Sequence, residues 1–414
     1  MKSKSSGVLS ALLAVGAVLG TGACGASKTE STGAADGGCD TSKGTLVVGV
    51  IAPMSGKLST IGLGIRNSVQ LAVEQANGKC AVKGYRLAMD AQDDEANPDK
   101  GAAAAQRFAD DPNVVGIVGP YNSGVARAIQ PKIAAAKLLQ ISPGNTDPVL
   151  SRGTGFATAP KRQYDNYFRV VGTDDLQGPF NARYLVEQEG KKKLAIITDG
   201  KAVGESSATE FAKEAKKLGA QVIIREKVNE NDSDFSSVLT KVKAAQPDAI
   251  YVGTEYHVAG PLSKQAKDIG LNVPVSGTDG LFDPQFIALG GKDGDVATSV
   301  GAPIEKLDTG KAFVAAYKAK NFADGYGGFG AFAFDAANVV VTSVGKVTAA
   351  GDWTGAPEQR TELIKQVQEY RNDAGANGTI GFDQYGDSVN KMFTVYKVTS
   401  GAWKDVLSDR FQAK

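Results

Sequence analysis

Histidine is nearly missing: His257 is the only one in 414 residues. One imidazole gives no set of ligands for a histidine-rich metal site, and it argues against a Ser/His/Asp triad. No Gly-x-Ser-x-Gly elbow and no Walker loop occurs. Net charge is also lacking, at +1 overall. A chain so balanced has no field to draw a nucleic acid or another polyanion. Beyond the amino terminus, no apolar run is long enough to cross a bilayer. What the chain has in quantity is glycine, 50 residues without a collagen-like period, as many strand-to-helix turns require. With 42% hydrophobic and 22% charged residues it is globular, and its length suits two domains.

The amino terminus sets the compartment. Lys2 and Lys4 precede an uncharged stretch, Val8 to Gly20, and small residues leading to Cys24. A short basic region, an apolar core too short to span and a small-residue cleavage site make an export signal over 1–23. Cys24 directly after Thr21-Gly22-Ala23 resembles a bacterial lipoprotein box, with Thr21 where leucine is usual. That resemblance implies that Cys24 carries lipid, that 24–43 is a flexible tether, and that the protein sits on the outer face of the bacterial cell membrane, touching it through the anchor only. Removing Lys2 and Lys4 from the 46 basic residues leaves one fewer than the 45 acidic ones.

Cys39 and Cys80 remain. The run at 45–52 reads as a first strand and Ile65 to Asn77 as a helix returning antiparallel to it. The start of one and the end of the other meet at one edge, so a Cys39–Cys80 disulfide is expected in an oxidising compartment.

The candidate site lies in 114–148. The apolar run Val114 to Val118 ends in Gly119-Pro120, a helix is predicted from about Val125 to Lys137, and Leu138 to Ile141 form a second run ending in Pro143-Gly144. This is a βαβ unit, so the loops Pro120 to Gly124 and Ser142 to Thr146 fall side by side on one sheet edge. Both loops are small and rich in hydroxyls. Ser123 at an N-cap, with the free amides of the next turn, would suit a small anion such as a carboxylate.

Neighbouring motifs carry less. Pro53 to Gly64 reads as a loop too long for a dinucleotide turn, and Gly62-Leu63-Gly64-Ile65-Arg66-Asn67 lacks the third glycine of that fingerprint. Asp93-Asp94-Glu95 lacks calcium-loop spacing and reads as a solvated strand end. A second βα series then runs from Leu194 to Ser276, with strand ends at Thr198-Asp199, Gly253-Thr254-Glu255-Tyr256 and Gly277-Thr278-Asp279-Gly280. Helices Lys311 to Ala319 and Ala331 to Val347 suit the first domain, while strands Thr379 to Phe382 and Lys391 to Val398 suit the second. The fold class is α/β, with two doubly wound Rossmann-like lobes joined by a three-segment hinge. The expected boundaries are 44–171 with 300–377 for one lobe, and 172–299 with 378–414 for the other.

Taken together, Val48 to Gly56, Gly116 to Ser123, Ile141 to Thr146, Arg169 to Gly178 and Phe382 to Gly386 give a resemblance to a known family. It is the type I extracytoplasmic solute-binding proteins of ABC importers, in the leucine/isoleucine/valine-binding branch. The similarity covers about 45 to 400. It implies a small amino acid or related zwitterion or amide held where the lobes close, delivery to an ABC permease, a monomer, no cofactor and no enzymatic activity. It implies that residues resembling Ser123, Gly144 and Thr146 hold the carboxylate, with Tyr121 and Asn122 in the same loop. Asp279 would meet the ammonium with Tyr256 nearby. Two aromatic positions of the branched-chain binders fall on Ile61 and Val203, and Phe329 matches a further pocket aromatic. The alternatives are a ligand-sensing receptor domain of the same fold, or an NAD-dependent reductase, which the poor glycine fingerprint and the export signal oppose.

Overall fold

The structure, a computed structural model, describes residues 38–411; the export signal and Cys24 lie outside them. Runs such as VVGIV over Val114–Val118 are buried along their whole length, as strands covered by helices on both faces must be. Five of them form one parallel sheet: β1 (Thr45–Ala52), β2 (Arg86–Asp93), β3 (Val114–Val118), β4 (Gln140–Ser142) and β5 (Tyr167–Arg169), in the order β2-β1-β3-β4-β5. A second sheet takes β6 (Lys193–Thr198), β7 (Gln221–Lys227), β8 (Ala249–Gly253), β9 (Val275–Gly277) and β10 (Val296–Val300), all parallel. The strands that end the chain extend it antiparallel.

Between those two sets lies a separate ribbon, β11 (Arg371–Gly375) with β12 (Gly378–Gly381). The last strands are β13 (Met392–Thr399) and β14 (Ala402–Arg410), and the second sheet runs β14-β13-β10-β9-β8-β6-β7. The strand expected at Thr379 to Phe382 therefore does not join the second sheet. Its ribbon packs against the first lobe's helix Gly330–Ala350, whose buried Asp335 accepts the amides of Ala376 and Asn377 at 2.8 and 3.0 Å.

Helices α1 (Ser59–Gly78), α2 (Pro98–Asp110) and α3 (Ser123–Ala135) follow β1, β2 and β3. The loop predicted up to Gly64 is mostly helix. Glycines at 62 and 64 lower helix propensity, which hid the start of α1, but close packing requires them. A Cβ at Gly62 would overlap the Pro53 carbonyl, and one at Gly64 would stand 2.7 Å from the carbonyl oxygen of Tyr326. Further along, Cys39 and Cys80 are disulfide-bonded across the expected edge, with Cα atoms 5.5 Å apart.

The chain passes between the sheets three times: after β5, after β10 and before β13. Where β5 ends, Arg169 is wholly buried. Its guanidinium pairs with Asp387 at 2.7 Å and donates to the carbonyls of Asn145 and Asp147 and to the Ser151 hydroxyl. Burial lowers its pKa, but the neighbouring Asp387 carboxylate outweighs that and the net shift is upward. One side chain thus ties the first crossing, the third crossing and the loop after β4 together. Arg169→Met leaves Asp387 in the interior with only Arg152, at 3.2 Å, as a partner. Equilibrium urea unfolding is expected to show a loss of about 3 to 5 kcal/mol, part of it recovered when Asp387→Leu is added. Parent-like stability of the single variant would contradict this reading.

Candidate functional site

The carboxyl ends of β3 and β4 on one lobe face those of β6, β8 and β9 on the other, around a cavity of about 350 Å³. Ligands of open parallel sheets bind at such edges because the loops there are free to vary. From the first lobe, Tyr121, Asn122, Ser123, Gly144 and Thr146 line it. From the second come Asp199, Lys201, Val203, Thr254, Glu255, Thr278 and Asp279, with Glu230 at the rim. A larger depression of about 880 Å³ near Phe282, Tyr396 and Trp403 differs in chemistry. Several of its polar groups are already engaged: the Tyr326 hydroxyl donates to Glu305 at 3.3 Å, Trp403 Nε1 donates to the Asp283 carbonyl, and Asp405 pairs with Lys306.

On the first lobe, Ser123 opens α3 and Asn122 is the cap, one residue earlier than expected; the Asn122 side chain does not bond to the helix. The first-turn amides of a 13-residue helix therefore carry no side-chain cap. Among the described residues the Ser123 hydroxyl has no hydrogen bond, although Ser123 is buried. This is a site of positive potential at the end of a helix dipole. Gly144 must be glycine because a Cβ there would stand 2.6 Å from the Tyr121 ring. Its amide, expected to meet a carboxylate, is instead held by the Ser142 hydroxyl at 3.2 Å. Thr146 accepts the backbone amide of Asp174 at 2.8 Å, which joins this loop to the second lobe.

The second lobe presents acids. Asp279 begins a short turn after β9, and one of its carboxylate oxygens is buried with no partner. Burial pushes its carboxyl up to about 7, against the pull of Gln177 and of nearby amides. Asp174, completely buried, is also raised by burial, by Asp279 and by Asp147, with Thr146 acting the other way. Glu255 is pushed up to about 7 by burial, which Lys201 partly offsets. Of these, Asp174 and Asp279 are the pair close enough for one to raise the other, and burial opposes the charge on both.

Side-chain hydrogen bonds close one lobe on the other. Asn122 Nδ2 donates to Glu255 Oε1 at 3.0 Å; Lys57 Nζ reaches the Glu230 carbonyl and Asn231 Oδ1 at 2.9 and 2.8 Å; and the Tyr256 hydroxyl donates to the Lys57 carbonyl at 2.6 Å.

Of the residues singled out from sequence, Tyr121, Asn122, Ser123, Gly144, Thr146, Val203 and Asp279 meet at the cavity. Tyr256, Phe329 and Ile61 do not line it. The Tyr256 hydroxyl is engaged by Lys57 and Thr60, Phe329 sits edge-on behind Tyr121 with centroids 4.8 Å apart, and Ile61 is in the core. Sequence reasoning missed Glu255, Lys201 and Asp199. Their strand ends were visible, but which lobe they would face was not. His257 does not line the cavity; burial lowers its imidazole to about 4, so it is neutral.

A two-lobed α/β fold with a polar cleft between strand ends defines a receptor for a small solute. The pattern of the periplasmic binding protein family matches residues 45–402, and the chain belongs to that family, in the type I branch of the branched-chain amino-acid binders. A leucine-, isoleucine-, valine-, threonine-, and alanine-binding protein of Pseudomonas aeruginosa is 30% identical over 356 residues, covering 85% of this chain and 90% of its own length. A leucine binding protein from Thermotoga maritima superposes with a TM-score of 0.77 at 25% identity, over 88% of this chain and 98% of that one. A solute binding protein from R. palustris in complex with benzoate shares the fold, with a TM-score of 0.77, 21% identity, and coverage of 89% and 98%. This chain is accordingly an extracytoplasmic solute-binding protein of an ABC importer, working with a permease, and not an enzyme.

Proposed function

We propose that the solute is a small amino acid, or a zwitterion like one, gripped at both charged ends. What carries this reading is the opposition across one cavity of an uncapped helix start, with the Ser123 hydroxyl, and a buried acid, Asp279, with an unpaired oxygen. The carboxylate meets Ser123, Thr146 and the amides of α3. The ammonium meets Asp279, whose charge is then favoured where burial alone opposes it. A carboxylate-only solute would use the first end and leave the acids facing one another without a counter-charge. Tyr256, Phe329 and Ile61 act from behind the wall, by holding Lys57, Tyr121 and α1 in place. We further propose that the two lobes are 44–171 with 300–377 and 172–299 with 378–414, except that β12 (Gly378–Gly381) goes with the first lobe through its pairing with β11, that the protein is a monomer, and that lipid on Cys24 keeps it near its permease.

Asp279→Ala is expected to weaken binding of the amino acid that titrates best by about 30-fold to several thousand-fold, and Ser123→Ala by only about 5- to 30-fold. The difference arises because amides still hold the carboxylate after the hydroxyl is gone. Calorimetric titration of both variants checks the order; equal or reversed losses sink the assignment. Affinity should also depend on pH with a definite sign. The ammonium requires Asp279 ionised, while in the ligand-free protein its carboxyl lies at about 7. Binding must therefore release a proton below that pH, and affinity falls on acidification from 8 to 5 by up to about tenfold per unit once below 7. A flat profile would mean that no raised carboxyl takes part. For the anchor, Cys24→Ala is expected to move the exported protein from the detergent phase to the aqueous phase; identical partitioning of parent and variant would exclude lipid at that residue.

A further inference from the structure

Resting on the zwitterion reading above, we infer that Asn122 and Glu255 set side-chain specificity, and that the ligand's side chain ends in an N–H donor such as a carboxamide rather than in a branched alkyl group. The two residues come from opposite lobes and line the same cavity. They hydrogen-bond to each other through Asn122 Nδ2 and Glu255 Oε1 at 3.0 Å. Each then keeps one oxygen, Asn122 Oδ1 and Glu255 Oε2, that is buried and has no hydrogen-bond partner. The nearest cation, Lys201, stands 3.9 Å from Glu255 Oε2 and spends its direct contact on Glu230.

Two acceptors left unmatched on one wall define what would fit against them. An aliphatic side chain has nothing to donate and would leave both buried oxygens without a partner, at a cost for each acceptor. A primary amide carries two N–H groups on one nitrogen and could serve both oxygens at once. The surrounding wall agrees in character. Asp199 accepts the Thr254 hydroxyl at 3.2 Å and the Lys201 amide at 2.9 Å, so its neighbourhood is a polar network, and Val203 is the apolar side chain beside it. A site that expects a hydrogen bond rejects an isostere lacking it far more strongly than an apolar pocket rejects a change of shape.

Asparagine and leucine test this, because they share the zwitterionic head and differ by a carboxamide in place of an isopropyl group of nearly the same size. Glutamine extends the comparison by one methylene. Titrated against the full-length protein, asparagine or glutamine should bind at least about tenfold more tightly than leucine. Glu255→Met removes a lobe contact and so weakens all three ligands to some degree, but it should cost asparagine and glutamine at least about tenfold more than leucine and so abolish their advantage. An equal loss for all three, with the advantage of the amides kept, would mean that Glu255 only closes the lobes, and that outcome overturns the proposal. Leucine binding as tightly as the amides, or more tightly, overturns it too, while leaving the zwitterion reading intact. Failure of all three, together with the remaining common amino acids, would overturn both.

Discussion

A guanidinium that never meets water holds this protein's working parts in one arrangement. Arg169 is buried where the first sheet ends, and an unpaired charge there would be expensive. Its four partners belong to the loop after β4, the short helix behind it and the segment leading to β13. The loop that carries Thr146 to the cleft is thereby fixed to two of the three strands of the hinge. A hinge must bend without letting its binding loops drift, and a charge satisfied from several directions at once meets that need. Gly172, just beyond, lies against the Phe393 ring, where a Cβ would come within 2.6 Å. The crossing is thus tightly packed as well as hydrogen-bonded.

Across the cleft the balance of charge is deliberately uneven. The second lobe brings Asp199, Glu230, Glu255 and Asp279 to the cavity, with Lys201 as the one basic residue among the described residues lining it. Burial raises both Glu255 and Asp279 to about 7. The first lobe answers with no formal charge at the wall: its polar groups there are hydroxyls, the Asn122 amide and the start of α3. A ligand carrying a positive and a negative end therefore neutralises two opposite fields at the same moment. That coupling gives closure a thermodynamic reason, since neither lobe alone can satisfy such a ligand.

Much of this was legible in the sequence, and the limits have physical causes. The alternation of strands and helices, the two lobes and the Cys39–Cys80 pair are visible because apolar runs and element directions are local properties. Ser123 and Thr146 were visible because one βαβ unit places both loops on one edge. Gly62 and Gly64 hid the start of α1, since their value lies in contacts with Pro53 and Tyr326, far away in sequence. The strand at Thr379 to Phe382 read as part of the second domain because a strand's pattern does not name its neighbour; its partner β11 was not read at all. Glu255 was passed over for Tyr256 beside it. Only the closing of one lobe on the other shows that the tyrosine turns to Lys57 while the glutamate meets Asn122.

The claim on which the rest hangs is that both charged ends of one small molecule are needed. Calorimetric titration at pH 8 of the amino acid that binds best, alongside its analogue without the ammonium and its analogue without the carboxylate, tests it most directly. Loss of either end is expected to weaken binding by about a hundredfold or more. Retention of full affinity by the carboxylate-only analogue would contradict the account, because it would leave Asp279 without a partner in the bound state.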